Sequence, residues 1–235
     1  MNFLKKPFRY SNFNSVYWLI GINILFYIAM QFFGDRPAAV LDISSLGIRD
    51  QAGRVYTHTQ IGLSSMLAMM PLAVIELGAV WSFITYMFMH AGVSHILFNM
   101  LGLFIFGPHV ERQMGSKEFL VYYLLTGALA GVLSFFMYVL TGSLIVNLVG
   151  ASGALYAVMI AYAIYFPNSI ISIWGIIPLR APVMVLIYTV LSIFFVVTGG
   201  GGNVAHLTHL AGFIFGWFYF MIRFGVNPWR RLTNK

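Results

Sequence analysis

Apolar residues run along this chain in long blocks separated by short polar breaks. A membrane-spanning helix needs about 20 apolar residues, and six blocks are candidates, at roughly 14–33, 82–107, 118–140, 151–166, 182–199 and 204–223. The pattern predicts an all-α polytopic membrane protein, a six-helix bundle with a long loop after the first span. That loop is polar up to about Gln60 and then turns apolar as IGLSSMLAMMPLAVIELGAVW, broken by Pro71 and Glu76. Its apolar end is expected to lie in the interface or fold back onto the bundle. A further crossing there would invert every later span. No repeat stands out beyond the Gly199–Gly202 run, so the chain reads as one membrane domain at 14–223 with basic ends at 1–13 and 224–235.

Composition fixes the solvent. Of the 235 residues, 60% are hydrophobic and 8% charged, against about 25% charged in a soluble domain. No soluble fold of this size hides so much apolar surface, so lipid is the surrounding medium. With no cysteine, disulfide and thiolate chemistry are excluded. A net charge of +7 can mean a nucleic-acid partner, but in so apolar a chain it marks basic residues holding helix ends in the cytoplasm. With six spans, ten of the 13 Lys and Arg residues fall on the side of the termini: Lys5, Lys6, Arg9, Arg112, Lys117, Arg180, Arg223, Arg230, Arg231 and Lys235. Arg36, Arg49 and Arg54 fall opposite. Both termini are therefore expected in the cytoplasm, as is the short connection at 107–118. The basic start followed by an apolar run resembles a signal peptide but lacks a clear cleavage site, so a retained first helix is expected.

The fourth block is short. The fifteen residues from Ser152 to Phe166 span about 22 Å as a helix, against a hydrocarbon core of about 30 Å. If Phe166-Pro167 ends it on the cytoplasmic side, Ser152 begins it below the outer surface. The preceding chain then descends as irregular backbone, tolerated at depth only inside protein or beside water. Ser152 sits in Gly150-Ala151-Ser152-Gly153. Such a sequence is a close-packing motif or a nucleophile on a tight turn.

Polar groups elsewhere in the spans sharpen the choice, because they are costly there. The second block carries His90, His95 and Asn99, the last two sharing a helix face. The sixth carries His206 and His209. Ala205, His209, Gly212 and Gly216 form a small-residue stripe, and Gly153, Ala157 and Ala161 form a matching one on the fourth block. Packed together, these stripes bring His209 to Ser152, where a neutral imidazole can accept the serine proton and return it to a leaving amine. Asp and Glu are absent at that depth, so the pattern suggests a Ser-His dyad. Tyr156, one turn on, can pack against the imidazole. Oxyanion donors would be the N–H groups at the start of the fourth helix, with His95 and Asn99 as side-chain candidates. Asn99 serves equally as interhelical glue. His90 and His206 read as structural, His58 and His109 as exposed. Gly150 and Gly153 admit close contact and leave N–H groups open.

With HILFN, then GASGALYA, then AHLTHLAGFIFG in that order, the chain resembles the rhomboid intramembrane serine proteases from about Trp81 to Gly216. The resemblance implies a six-helix core of the bacterial type in a cytoplasmic membrane, with Ser152 as nucleophile and His209 as base. His209 is selected over His206 because it begins H-x-x-G-x-x-x-G, which includes Gly212. His95, Asn99 and the Ser152 backbone would hold the oxyanion, and Tyr156 would stack under the histidine. The substrates implied are transmembrane proteins that unwind locally at small residues. The partner is the lipid bilayer, and no metal, nucleotide or redox cofactor is implied. Gly199–Gly202 is expected to form a mobile lid. Two positions depart from the family pattern: Trp81-Ser82 where Trp-Arg is common, and Glu111-Arg112-Gln113 where Glu-x-Arg is common. These predict altered loop stability or gating. Rival readings are a metalloprotease using His95, His206 and His209, which lacks H-E-x-x-H, a proton-coupled transporter, which lacks an internal repeat, and an inactive family member, against which intact Ser152 and His209 count.

Overall fold

The computed structural model describes residues 8–34, 36–42, 44, 47, 58–173, 176–198 and 203–233, with the side chains of residues 42, 59, 173, 177 and 203–205 outside that description. In chain order, α1 (Ser15–Phe33) leads to a hairpin, β1 (Pro37–Asp42) and β2 (His58–Gly62), then to α2 (Leu63–Leu67), α3 (Pro71–Leu77) and α4 (Ser82–Thr85). After a 3-10 turn at Tyr86–Phe88 come α5 (Val93–Met114), α6 (Ser116–Leu140) and α7 (Ser152–Tyr165). A second hairpin, β3 (Ile170–Ile173) and β4 (Ile177–Arg180), precedes α8 (Ala181–Thr198) and α9 (Asn203–Tyr219). A π-helical turn, Phe220–Phe224, and α10 (Pro228–Leu232) complete the described chain. Among the described residues, α1, α5, α6, α8 and the run from His206 to Phe224 are long and apolar enough to cross a membrane. The chain is an integral, multi-pass membrane protein, with two short hairpins added to the helical bundle.

Helix α7 is the short span and the centre of the bundle. Its 14 residues rise about 21 Å. Ten of them are buried, among them Gly153, Ala154, Ala157, Ala161 and Ala163, and α5, α6, α8 and α9 all pack on it. Such close approach needs small residues, because lipid tails supply no hydrophobic drive between helices. Gly212 meets the Gly153 carbonyl so closely that a Cβ there would overlap it, and Gly216 packs on Ala157 and Ile160. The two predicted stripes therefore face each other, the Ala205 side chain lying outside the described residues.

Two expectations at the α5–α6 end are corrected. The second span does not run 82–107. It breaks at Met89, whose backbone is extended, and α5 begins only at Val93 and continues past Pro108 to Met114. The connection expected at 107–118 is therefore mostly helix, turning at Gly115, whose φ is +83°. Glu111 and Glu118, on either side of that turn, are buried at 2% and 1% exposure. Glu111 caps α1 from a distance: its carboxylate accepts from the Ser15 N–H at 2.6 Å, the Ser15 hydroxyl at 2.7 Å and the Val16 N–H at 3.2 Å. These are N–H groups that a helix start leaves unsatisfied, next to the positive end of its dipole. Glu118 accepts from Arg223 Nε at 2.7 Å, from the Phe8 N–H at 3.0 Å and from the Tyr219 hydroxyl. The residues before α1 and the end of α9 thus meet at the α5–α6 turn, at one end of the bundle.

At the other end, the apolar stretch after β2 folds back. Met69 and Leu148 exchange two backbone hydrogen bonds of 3.0 and 2.9 Å, and the Leu72 N–H donates to the Leu144 carbonyl at 2.9 Å. Trp81 Nε1 donates to the Met66 carbonyl at 2.9 Å. The segment braces the irregular chain that leads to Ser152. Within 224–235, α10 packs against α7 with Pro228 buried.

Candidate active site

Ser152 opens α7 on a turn that only glycine makes without strain. Gly150 has φ +115°, in the range that L side chains rarely adopt. Its N–H donates to the Tyr86 carbonyl at 2.9 Å, fixing the descending chain to the turn before α5. The helix starts at Ser152, so its first N–H groups have no intrahelical partner.

The packed stripes bring His209 of α9 against this start. His209 Nε2 lies 2.8 Å from the Ser152 hydroxyl oxygen. His209 Nδ1 is buried and has no hydrogen-bond partner. The ring stacks on Tyr156, with centroids 4.2 Å apart and planes 15° from parallel. Tyr156 is itself held between Phe213 at 4.9 Å and Tyr188 at 5.9 Å. An aromatic wall thus orients the imidazole where a carboxylate does so in a triad.

His95 and Asn99 of α5 approach from the opposite side. A Cβ built on Gly150 would lie 2.6 Å from His95 Nε2 and 3.8 Å from Asn99 Nδ2, so both nitrogens point at the chain before Ser152. His95 Nδ1 accepts a long hydrogen bond from the Ala91 N–H at 3.4 Å, which leaves the proton of a neutral ring on Nε2. Asn99 spends one amide hydrogen on the His95 carbonyl at 3.0 Å and keeps the other. His90 is buried and meets the His95 ring edge-on at 5.1 Å. His95, Ser152 and His209 line a cavity of about 180 Å³ together with Tyr86, Leu148 and His206, among others. His206 stacks on Phe195 at 4.6 Å and presents its edge to His209 at 5.7 Å. Among the described residues, no three or more His, Asp or Glu side chains converge as a metal site.

The family model of the Rhomboid domain matches residues 77–226. The chain belongs to the rhomboid family. Its relatives include the "putative rhomboid protease YdcA" of Bacillus subtilis, 34% identical over 96 residues, which cover 40% of this chain and 46% of that protein. "Rhomboid-related protein 2" of Mus musculus is 37% identical over 142 residues, 56% of this chain and 44% of that one. The "rhomboid protease GlpG" of Haemophilus influenzae is 35% identical over 80 residues, 34% and 38% of the two chains. The chain spans less than half the length of each of these relatives.

In this rhomboid chain the structure brings Ser152, His209, His95, Asn99, Tyr156, Gly150, Gly153 and Gly212 to one place. Sequence reading misses Tyr86, Leu148 and the lining role of His206. Tyr86 and Leu148 are brought to the site by backbone hydrogen bonds to Gly150 and Met69, which their side chains do not announce. His206 is visible only as the first histidine of AHLTH, where it reads as structural. At the departures from the family pattern, Ser82 is buried with its hydroxyl unpartnered, and the neighbouring Trp81 and Thr85 hold the loop instead, bonding Met66 and Leu67. The Gly199–Gly202 lid lies outside the described residues.

Proposed function

We propose that this rhomboid chain is an intramembrane serine endopeptidase that cleaves transmembrane proteins in or near their spans. The observation that carries the reading is the 2.8 Å approach of His209 Nε2 to the Ser152 hydroxyl beside a cavity with free N–H donors. His209 Nε2 takes the hydroxyl proton as Oγ attacks the scissile carbonyl carbon. The carbonyl oxygen becomes an oxyanion and is met by the Ser152 N–H, His95 Nε2 and Asn99 Nδ2. The tetrahedral adduct collapses, the C–N bond breaks, and the imidazolium gives its proton to the leaving amine. Water then attacks the acyl ester with His209 again as base, releasing the acid and restoring Ser152. Among the described residues no carboxylate bonds His209 Nδ1, so a dyad is the form of base the geometry supports. Tyr156 positions the ring.

Peptide bonds in a membrane helix are shielded, so the substrate must unwind locally, which glycine and other small residues near the cut favour. The distribution of Lys and Arg supports both termini inside and the site opening outward, and the resemblance to the family implies a bacterial cytoplasmic membrane. The 14–223 segment is the membrane domain, with short basic segments at 1–13 and 224–235. The test is cleavage of a transmembrane substrate by purified protein in detergent. Wild type is expected to cleave it, and Ser152→Ala and His209→Ala to leave it intact. Cleavage unchanged by Ser152→Ala would sink the reading.

A further inference from the structure

Helix α10 has two unlike faces. Arg230 and Arg231 are exposed, and neither pairs with a carboxylate among the described residues, where Glu118 is taken by Arg223. They line a cavity of about 630 Å³ with Tyr165, Pro167 and Asn227. On its other face, Trp229 and Leu232 close the end of a groove of about 600 Å³ between α8 and α9, whose walls include Val183, Leu186, Ile214 and Trp217. Leu186 is 61% exposed and Ile214 47%, so this groove opens to the hydrocarbon around the bundle. The short helix is fixed in place: Pro228 is buried, and the Asn227 side chain accepts from the Trp229 N–H at 3.0 Å.

We propose that the two faces form one site for an anionic phospholipid, with its phosphodiester at Arg230 and Arg231 and an acyl chain in the α8–α9 groove. Guanidinium groups match phosphate oxygens in geometry and charge. Trp229, 63% exposed, stands between them at headgroup level, where the amphipathic indole is favoured. A free phosphate uses the arginines and leaves the groove empty. A soluble acidic partner does not reach a groove walled by two spanning helices. The proposal is separate from the peptidase reading, because its readout is bound lipid.

The test uses the full chain in nanodiscs of phosphatidylcholine with a minor fraction of phosphatidylglycerol. The protein is re-extracted in mild detergent and the co-purifying lipid identified by mass spectrometry. Wild type is expected to retain phosphatidylglycerol in preference to phosphatidylcholine. Arg230→Gln with Arg231→Gln is expected to cut that preference about 25-fold, about fivefold for each arginine, from ~1 kcal/mol per basic residue at an anionic surface. Ile214→Trp, which fills the groove and leaves the charge, is expected to release the lipid too. Arg9→Gln with Lys117→Gln removes the same charge elsewhere and is expected to change nothing. Equal retention in the Arg230/Arg231 variant, equal loss in the Arg9/Lys117 variant, or retention that survives Ile214→Trp would each overturn the site. So would displacement of the lipid by inorganic phosphate alone, which would mark a headgroup-only anion site.

Discussion

Gly150→Ala separates the two roles of the turn before Ser152. The substitution adds one methyl group at φ +115°, a backbone strain of about 1–3 kcal/mol. The methyl carbon would lie 2.6 Å from His95 Nε2 and 2.7 Å from His95 Cε1, too close to coexist, so the imidazole must leave its place. Loss of one oxyanion donor costs about 10²–10³ in kcat. Gly150→Ala is therefore expected to melt lower by that modest strain and to cleave a transmembrane substrate about 100-fold more slowly, with KM little changed. His95→Ala should show the same kcat loss without the strain. In the double variant the second substitution should add little to the rate loss, because both remove one interaction. The assay is kcat on a fluorogenic transmembrane substrate in proteoliposomes, with thermal unfolding of the same preparations. If Gly150→Ala cleaves like wild type, or if its rate loss and that of His95→Ala multiply in the double variant, the clash with His95 is not what makes glycine necessary.

A serine-directed fluorophosphonate is expected to label wild type at Ser152 even with chelator present and to leave His209→Ala unlabelled; labelling undiminished in His209→Ala would remove the base from the reading. Tyr156→Phe keeps the ring stack and should retain most activity. Tyr156→Ala should lose about three- to tenfold in kcat, since a stacked aromatic pair is worth about 0.5–1.5 kcal/mol; equal kcat in the two variants would deny Tyr156 a positioning role. Glu111→Ala strands the Ser15 and Val16 N–H groups and should lower stability by about 3 kcal/mol, read by denaturant or thermal unfolding, with kcat per folded molecule unchanged.

The core of the site is legible in sequence because it is written in local spacing. Ser152 begins a span too short to reach the outer surface, and Gly212 and Gly216 sit at helical intervals from His209, so depth and approach both follow from counting residues. The start of α5 is not legible in the same way. WSFITYMFMH is as apolar as a span, and its break at Met89 follows from the Gly150 N–H bonding back to Tyr86, more than sixty residues away in sequence. The end of α5 misleads for the opposite reason. Glu111-Arg112-Gln113 looks like a polar connection, yet Glu111 is buried because α1 brings it unsatisfied N–H groups from about 95 positions earlier. Long-range backbone partners of this kind leave no periodic trace. Tyr86 and Leu148, placed by backbone hydrogen bonds to Gly150 and Met69, are hidden for the same reason.

The enclosure of α7 by four other helices bears on how the protein meets membranes of different thickness. Mismatch with the bilayer is absorbed by tilting and by local deformation at helices in contact with lipid. Those are chiefly α1 and α8, of which 17% and 22% of the spanning window is buried. With ten of 14 residues buried, α7 has little lipid contact through which to be tilted. The depth of Ser152 is therefore referenced to the surrounding protein. A thicker bilayer changes how far a substrate helix must rise to present its bond, while Ser152 and His209 keep their separation.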